Sequence, residues 1–548
     1  MIQPTNPGRR KFLQKASSGL LLLLPSSRYA AGASQEPSQK HLAAVHRGRR
    51  IVMMQDAYGD GHGATPLAGD FESWLKYRFS FIDELETQID AIWWDMAAPA
   101  AYPNRGFATD VQQRCNNWLS QGHDPLAALV EGTHRRGLEA FFNHRISEVE
   151  LDGKTHRLKK ENPDWVLPTW WPHGMWNLVA PGLQDYKLKI LKHLAENYDF
   201  DGIQVDFARH TPCLPPGRQW ELRDHLTQFI RRLRLSLLER GQSRGRPYLL
   251  AVRVPRNIEG CRVDGFDVET WARERLVDIF TIGTRSIEVD VAAYQALRKY
   301  GDIKVQPCWD DHHASDAYQW QPIEFLRGVY SNWWHQGADS VVTWNWSNAT
   351  PETCRTTDAA PGPDAHMSGF EQLGSLESMR NQNKTFAVDR RGAFPWAEGY
   401  FNRNQDAPLP MKLSRRAQSV RIPIRVEEPV AASRDGIKAV KLRAIVFGAE
   451  REDDFEARFN ERPVDLHLRD PEWKDAQIFS PKPQPNSGKA AHHKVDPDQK
   501  LLRLDYILDP SRFRPGINAV ELGLTKARAD VSVQIEKLEI HLVYSLQS

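Results

Sequence analysis

A chain of 548 residues with Lys+Arg 72 against Asp+Glu 70 carries a formal charge of +2. That balance excludes the strong single-sign field by which a protein recognises nucleic acid or an anionic membrane, so no nucleic-acid partner is expected. The length exceeds one ordinary core and points to two domains plus an extension. Among the residue types Trp stands out, with 18 copies. Many lie beside predicted strand ends, where an indole face can stack on a sugar or fill a large barrel core.

The N-terminus reads as an export signal. Gly8-Arg9-Arg10-Lys11-Phe12-Leu13 fits the twin-arginine pattern, Leu20 to Leu24 supplies the apolar run, and Ala31-Gly32-Ala33 is a small-residue cleavage site. Residues 1–33 are therefore expected to be a twin-arginine signal peptide, and residues 34–49, polar and small, a linker. No other stretch approaches the ~20 apolar residues of a transmembrane helix, so no stable membrane insertion is expected after cleavage. The mature protein is expected to fold before export and to be periplasmic or secreted. In such a compartment the cysteines allow bridges. Cys213 and Cys261 follow neighbouring predicted strands, and Cys308 and Cys354 flank the seventh and eighth, although spacing does not fix connectivity.

Beyond the linker, short apolar strands alternate with amphipathic helices. Strands are predicted at Ile51–Gln55, Ile89–Asp95, Leu138–Asn143, Ile203–Val205, Tyr248–Val254, Val277–Ile282, Ile303–Cys308 and Ser340–Asn345. The helices between them are Phe71–Gln88, Pro125–Arg136, Gln184–Asn197, Trp220–Arg240, Val268–Arg275, Val289–Tyr300 and Pro322–Gln336, with a closing helix near Phe370–Arg380. In Trp220–Arg240, Leu222, Leu226, Phe229, Ile230, Leu233 and Leu237 share one face, as a surface helix requires. Eight βα units make a (β/α)8 TIM barrel over residues 50–385. An open doubly wound sheet is the alternative, but no Gly-x-Gly-x-x-Gly follows the first strand.

From residue 386 the period changes. Val420–Val426, Val440–Phe447, Phe455–Phe459, Leu501–Leu508, Ala519–Leu524 and Val533–Tyr544 alternate in the manner of strands, separated by turns such as Arg434-Asp435-Gly436. Residues 386–548 are expected to form a C-terminal antiparallel β-sandwich.

Barrel chemistry collects just past the strands. In order, those positions hold Asp56, Tyr58, Asp60 and His62; Trp94 and Asp95; Asn143, His144, Arg145 and Glu148; Asp206, Arg209 and His210; Arg253 and Arg256; Thr284 and Arg285; Trp309, Asp310, Asp311 and His312; Trp344, Asn345 and Trp346. Carboxylates, arginines, histidines and tryptophans are what glycosidic cleavage uses: an acid for the leaving oxygen, a nucleophile or base, and aromatic walls for the ring. Asp206, directly at the end of the fourth strand, is the first candidate. The second carboxylate stays open among Glu148, Asp310 and Asp95. Trp94, Trp309, Trp344 and Trp346 are candidate sugar walls, with His144, Arg145, Arg209, His210, Arg253 and Asn345 as polar contacts. Several arginines in one cleft suggest an acidic or sulfated glycan, or else partners for the aspartates. Asp201 reads as a turn residue at the opposite end. The first strand offers one imidazole, His62, where barrel metallohydrolases carry a His-x-His pair, so neither a metal nor another cofactor is expected.

The run Glu161-Asn162-Pro163-Asp164-Trp165-Val166-Leu167, then Asn177-Leu178, Tyr186 to Leu191 and Tyr198-Asp199-Phe200-Asp201-Gly202-Ile203-Gln204-Val205-Asp206-Phe207-Ala208-Arg209, resembles exported glycoside hydrolases related to glycosyl-hydrolase-like family 10. Their mark is an Asp-Gly-Ile-x-x-Asp-x-x-Arg strand. Arg253-Val254-Pro255 and Gly265-Phe266-Asp267-Val268-Glu269-Thr270-Trp271 are similar too. At the third strand the chain reads His144-Arg145-Ile146-Ser147-Glu148, where similar sequences have Arg-Met-Asn-Asp-x-His. The resemblance implies a TIM barrel with a β-sandwich, hydrolysis of glycosidic bonds in a carbohydrate substrate, and Asp206 at the catalytic centre. Two rivals stand beside it: a barrel that binds carbohydrate without cleaving it, and a metal-dependent hydrolase or deacetylase.

Overall fold

The computed structural model describes residues 37–57, 70–95, 116–147, 152–311, 318–346, 362–391, 406–413, 419–480, 494–495, 498–526 and 533–545. The twin-arginine stretch, Tyr58, Asp60, His62, Glu148, His312, Cys115 and Cys354 lie outside them.

Eight parallel strands close a barrel: β1 (Ile51–Asp56), β2 (Ile89–Asp95), β3 (Glu139–Arg145), β4 (Gly202–Asp206), β5 (Leu249–Val254), β6 (Ile279–Ile282), β7 (Lys304–Trp309) and β8 (Val341–Trp344), with β8 pairing back onto β1. Each of the eight falls on its predicted run. The runs are apolar because a parallel strand is covered on both faces. Alternation divides them. Val52, Met54, Ala91, Trp93, Phe141, Leu249, Ala251, Ile279, Cys308, Val342 and Trp344 fill the barrel, while Ile92, Trp94, Phe142, Ile203, Val205 and Trp309 pack into the helix layer.

That layer begins with α1 (Gln39–Val45), in the stretch expected to be a linker. Ser38 caps α1, accepting from the His41 amide, and the helix covers the N-terminal mouth of the barrel. There His41 Nε2 lies 2.8 Å from Asp278 Oδ1, and Arg234 reaches the same carboxylate at 2.7 Å. Arg49 grips Glu139 through two 2.6 Å bonds. A single turn pair does not show as periodicity, which is why polar composition alone suggested a linker.

The following helices are α2 (Phe71–Asp83), α3 (Pro125–Arg135), α4 (Pro181–Asn197), α5 (Arg223–Ser243), α6 (Ile258–Asp264), α7 (Val268–Arg273), α8 (Val291–Gln295), α9 (Ile323–His335) and α10 (Gly362–Gln372). Asp70 and Asp124 cap α2 and α3, and Pro125 occupies the first turn of α3. The closing helix was expected near Phe370–Arg380 and lies earlier. Gly374 abuts Gln88, whose Oε1 would stand 2.5 Å from any Cβ there, and the helix stops short of that contact.

Two antiparallel sheets follow. One orders β9 (Lys384–Ala387), β18 (Val533–Tyr544), β12 (Ile437–Phe447), β16 (Leu501–Ile507) and β15 (Leu466–Trp473), with β10 (Met411–Leu413) also on β18. The other orders β11 (Val420–Val426), β17 (Gly516–Lys526), β13 (Asp454–Phe459) and β14 (Arg462–Val464). Their facing sides share a core including Ile424, Leu442, Leu504, Val520 and Leu538. Strand β15 was not among the predicted strands, and it carries Pro471 in its interior. It lies at the sheet edge, where a proline forfeits no ladder bond. Gly328 lets α9 lie against β9, since a Cβ there would sit 2.1 Å from the Thr385 carbonyl oxygen. Among the described residues no helix is long and apolar enough to cross a membrane.

Candidate active site

Strand parity decides what reaches the C-terminal mouth. Counting outward from the barrel-filling residues, Asp56, Asp95, Asn143, Arg145, Asp206 and Arg253 face inward. Arg145, Asp206 and Arg253 are register partners on the adjacent strands β3, β4 and β5, so they stand side by side at one level.

Asp206 is buried, and its carboxylate is held from two sides. The Arg209 backbone N–H donates to Oδ1 at 2.9 Å, and Arg253 Nη1 reaches Oδ2 at 3.1 Å. The guanidinium partner is thus Arg253 across the strand, while Arg209 contributes its amide. Arg253 is also anchored by Nε donating to the Gly283 carbonyl at 3.1 Å and lies 4.0 Å from the Trp344 ring centroid. Burial works against the Arg253 charge, but the surrounding Cys308, Asp206 and Asp310 outweigh it and raise the guanidinium pKa.

Also near Trp344, at 5.5 Å from its ring centroid, Arg145 is shared by two acids. It forms an ion pair with Asp56 and another with Asp95, the latter at 2.5 Å. Asn143 donates to Asp95 at 2.8 Å. Asn345, in the left-handed region at φ 53°, brackets Asp56: its side chain donates at 2.9 Å and accepts the Asp56 N–H at 3.0 Å. A third pair joins Arg285 Nη1 to Asp310 Oδ2 at 2.8 Å, both buried. Asp311, one residue on, is 2.9 Å from His366, which stacks on Trp346 at 4.4 Å.

Of the predicted site residues, the structure brings Asp206, Asp95, Arg145, Arg253, Asn345 and Trp344 together at the mouth, with Asp310 on Arg285 beside them. Three proposed sugar walls lie elsewhere. Trp94 donates its indole N–H to Thr133 of α3 at 3.0 Å, Trp309 packs on Phe325 of α9 at 5.8 Å, and Trp346 lies between His366 and Phe370. All three are at most 1 % exposed and belong to the helix layer: Trp94 and Trp309 occupy the parity opposite to the inward acids, and Trp346 lies two residues past the end of β8, where alternation no longer holds. Trp344 is inside the barrel but fully buried, with Arg253 over its ring, so it supports the arginine and offers no open platform. His144 shares the outward parity and is buried. Buried His210 accepts from Cys213 Sγ at 3.9 Å through its carbonyl. Glu148 lies outside the described residues.

Asp201 is the turn acid expected at the opposite end, accepting from His134 at 2.9 Å and from the Ala140 N–H at 2.9 Å. The bridge considered between Cys213 and Cys261 does not exist, and Cys308 too is a free thiol. All three are buried, Cys261 against the Tyr294 hydroxyl at 2.9 Å. Burial pushes Cys308 up to about 12, against the pull of Arg253. Among the described residues no group of three or more His, Cys, Asp or Glu side chains could hold a metal ion.

Asp56 and Arg285 stood among the strand-end residues without being chosen. Parity would have picked out Asp56, two positions past the inward Met54. Arg285 follows the strand itself, where alternation gives no guide. A small pocket, with room for little more than a water molecule, lies past the ends of β4, β5 and β6, lined by Ala208, Thr211, Pro255, Arg256, Asp264, Thr284 and Ser286.

No protein-family model matches the chain. Over 123 residues it is 32% identical to the glycosyl hydrolase YngK of Bacillus subtilis (strain 168), a stretch covering 20% of this chain and 22% of that protein. The match therefore spans about a fifth of the relative's length. Among solved structures, the glycoside hydrolase domain of PgaB (BpsB) from Bordetella bronchiseptica aligns over 60% of this chain and 99% of its own at 14% identity and a TM-score of 0.38. An Anoxybacillus alpha-amylase aligns over 90% of this chain and 100% of its own at 11% identity and a TM-score of 0.35. The likeness to family-10-related hydrolases rests on the residues quoted for it.

Proposed function

We propose that this chain is an exported glycoside hydrolase acting on a polysaccharide or oligosaccharide, with Asp206 as its catalytic-centre carboxylate. The observation that carries the reading is the inward triad Arg145, Asp206 and Arg253 at one level of the barrel mouth, with Asp56, Asp95 and Asp310 on neighbouring guanidinium groups. Strand-end carboxylates in a cleft are where an oxocarbenium-like transition state is met. The 32% identity to a protein named glycosyl hydrolase supports the same class.

Asp56, Asp95, Asp206 and Asp310 are each the partner of an arginine, and an ion-paired carboxylate suits the anionic part: nucleophile, base or stabiliser of developing positive charge. The acid that protonates the leaving oxygen stays open among Glu148, Asp95 and Asp310, and single Asn or Gln substitutions at the three would assign it. A carbohydrate-binding barrel without catalysis is the second reading, favoured by one observation: Asp206 is only 1% exposed. A glycan-panel digestion by wild type and Asp206→Asn, side by side, separates the two. The hydrolase reading expects at least about a hundredfold loss in the variant. Equal cleavage by both proteins removes Asp206 from the centre, and no cleavage by either leaves the binding barrel.

Export by the twin-arginine route is supported by Gly8 to Leu13 and Ala31 to Ala33. Replacing Arg9 and Arg10 together by lysine should hold the precursor in the cytoplasm on cell fractionation. Unchanged release of the mature protein would point to another route.

A further inference from the structure

Asp310, just past β7, is fixed by the barrel on one side. Its N–H donates to the Thr284 carbonyl at 2.8 Å, and its carboxylate pairs with Arg285. Asp311, the next residue, is held by a second segment. Its carbonyl accepts the Trp320 N–H at 3.0 Å, and its Oδ2 accepts the Gln321 N–H at 3.3 Å and lies 2.9 Å from His366 Nε2. Tyr318 to Gln321, on the way from β7 to α9, thus returns to the strand end and grips the residue beside Asp310. All four are at most 2% exposed.

That grip has a cost in the backbone. Trp320 has φ 45°, a left-handed conformation that a bulky residue keeps only where its surroundings impose it. The imposing contact comes from the sheets. Gln477, in the turn after β15, meets both backbone groups of Gln319: its Oε1 accepts the N–H at 2.8 Å, and its Nε2 donates to the carbonyl at 2.9 Å. A side-chain amide here reproduces the two-bond exchange of paired strand residues, and only one orientation of that amide satisfies both bonds. The Tyr318 hydroxyl adds a bond to the Val388 carbonyl, past β9, at 2.8 Å.

Gln477 is itself moored. Its N–H donates to Asp475 Oδ1 at 2.8 Å, and Asp475 pairs with Lys537 of β18 at 3.1 Å. Its carbonyl accepts from Arg390 Nη1 at 3.3 Å, and Arg390 pairs with Glu536 of β18 at 3.2 Å. These groups are all buried, so a bond removed from the chain leaves a polar atom stranded away from water.

We infer that Gln477 is a positioning residue for Asp310: through one side-chain amide the sheet domain sets the conformation of Tyr318 to Gln321, and with it the placement of the carboxylate after β7. The catalytic part rests on the hydrolase reading with Asp310 taking part; the hold itself does not.

Gln477→Met keeps the length of the arm and removes both bonds. In the full-length protein, peptides covering residues 318–321 should then take up deuterium at least about tenfold faster by mass spectrometry. On a glycan that wild type cleaves, kcat should fall about tenfold to a hundredfold with KM little changed, since a misplaced group is felt in the transition state. In an Asp310→Asn background the same substitution should cost nothing further, whereas a merely structural role multiplies the two losses. Gln477→Asn keeps the amide but shortens the arm; it should fall between wild type and Gln477→Met in both readouts, and it carries the test if Gln477→Met does not fold. Unchanged exchange overturns the hold. Faster exchange with multiplied losses, or full turnover by Asp310→Asn, overturns the link to Asp310 and leaves the hydrolase reading standing. No hydrolysis by wild type removes the hydrolase reading and the catalytic part with it, while the exchange rates still decide the hold.

Discussion

At the scale of single residues, Arg253 ties the site together. It neutralises Asp206, bonds the Gly283 carbonyl and lies over Trp344, all without exposure to solvent. Removing one partner of a buried ion pair strands the other. Arg253→Met should therefore cost about 3–5 kcal/mol in urea denaturation. Adding Asp206→Asn in that background should recover part of the loss, because no charge is then left buried. Strictly additive losses would show that the pair is not coupled. Asp206 was legible in the chain because its strand is short and apolar and ends on the acid. The tryptophans were not, because Trp94-Asp95 and Trp309-Asp310 present both parities in succession, and only one member of each can face the barrel.

Among elements, α1 shows what composition hides. Burial opposes ionisation of Asp278, but Arg234 and His41 outweigh it and hold the carboxyl well below the usual range. A carboxylate with a depressed folded-state pKa adds stability above its unfolded pKa of about 3.9 and loses that contribution as pH falls through the folded value. Asp278→Asn should thus destabilise by about 2–4 kcal/mol near neutrality, with the difference from wild type shrinking progressively below about pH 4. Denaturation midpoints across that range measure it, and a pH-independent difference would refute the linkage. Helices α3 and α9, each with two or more turns of apolar periodicity, fell close to their predicted limits. Short or edge elements did not, since α1 owes its place to ion pairs and β15 to a neighbour reached across the fold.

In the molecule as a whole, the barrel and the sheets meet through charge as well as packing. Glu288, past β6, forms an ion pair with Arg425 of β11, Arg256 forms one with Asp406, and Ser331 of α9 bonds Glu428 at 2.9 Å. Burial, opposed by Arg256 and reinforced by Glu288, raises the Asp389 carboxyl to about 7. The barrel half of this plan was readable because each βα unit repeats one pattern, whereas the junction depends on side chains more than a hundred residues apart, as Glu288 and Arg425 are, and no local pattern records them. The three free thiols bear on the order of events in the cell. Cys213, Cys261 and Cys308 are enclosed by the barrel and its helices with no bridge among them. That part of the chain asks nothing of an oxidant, so its folding can be completed in a reducing compartment.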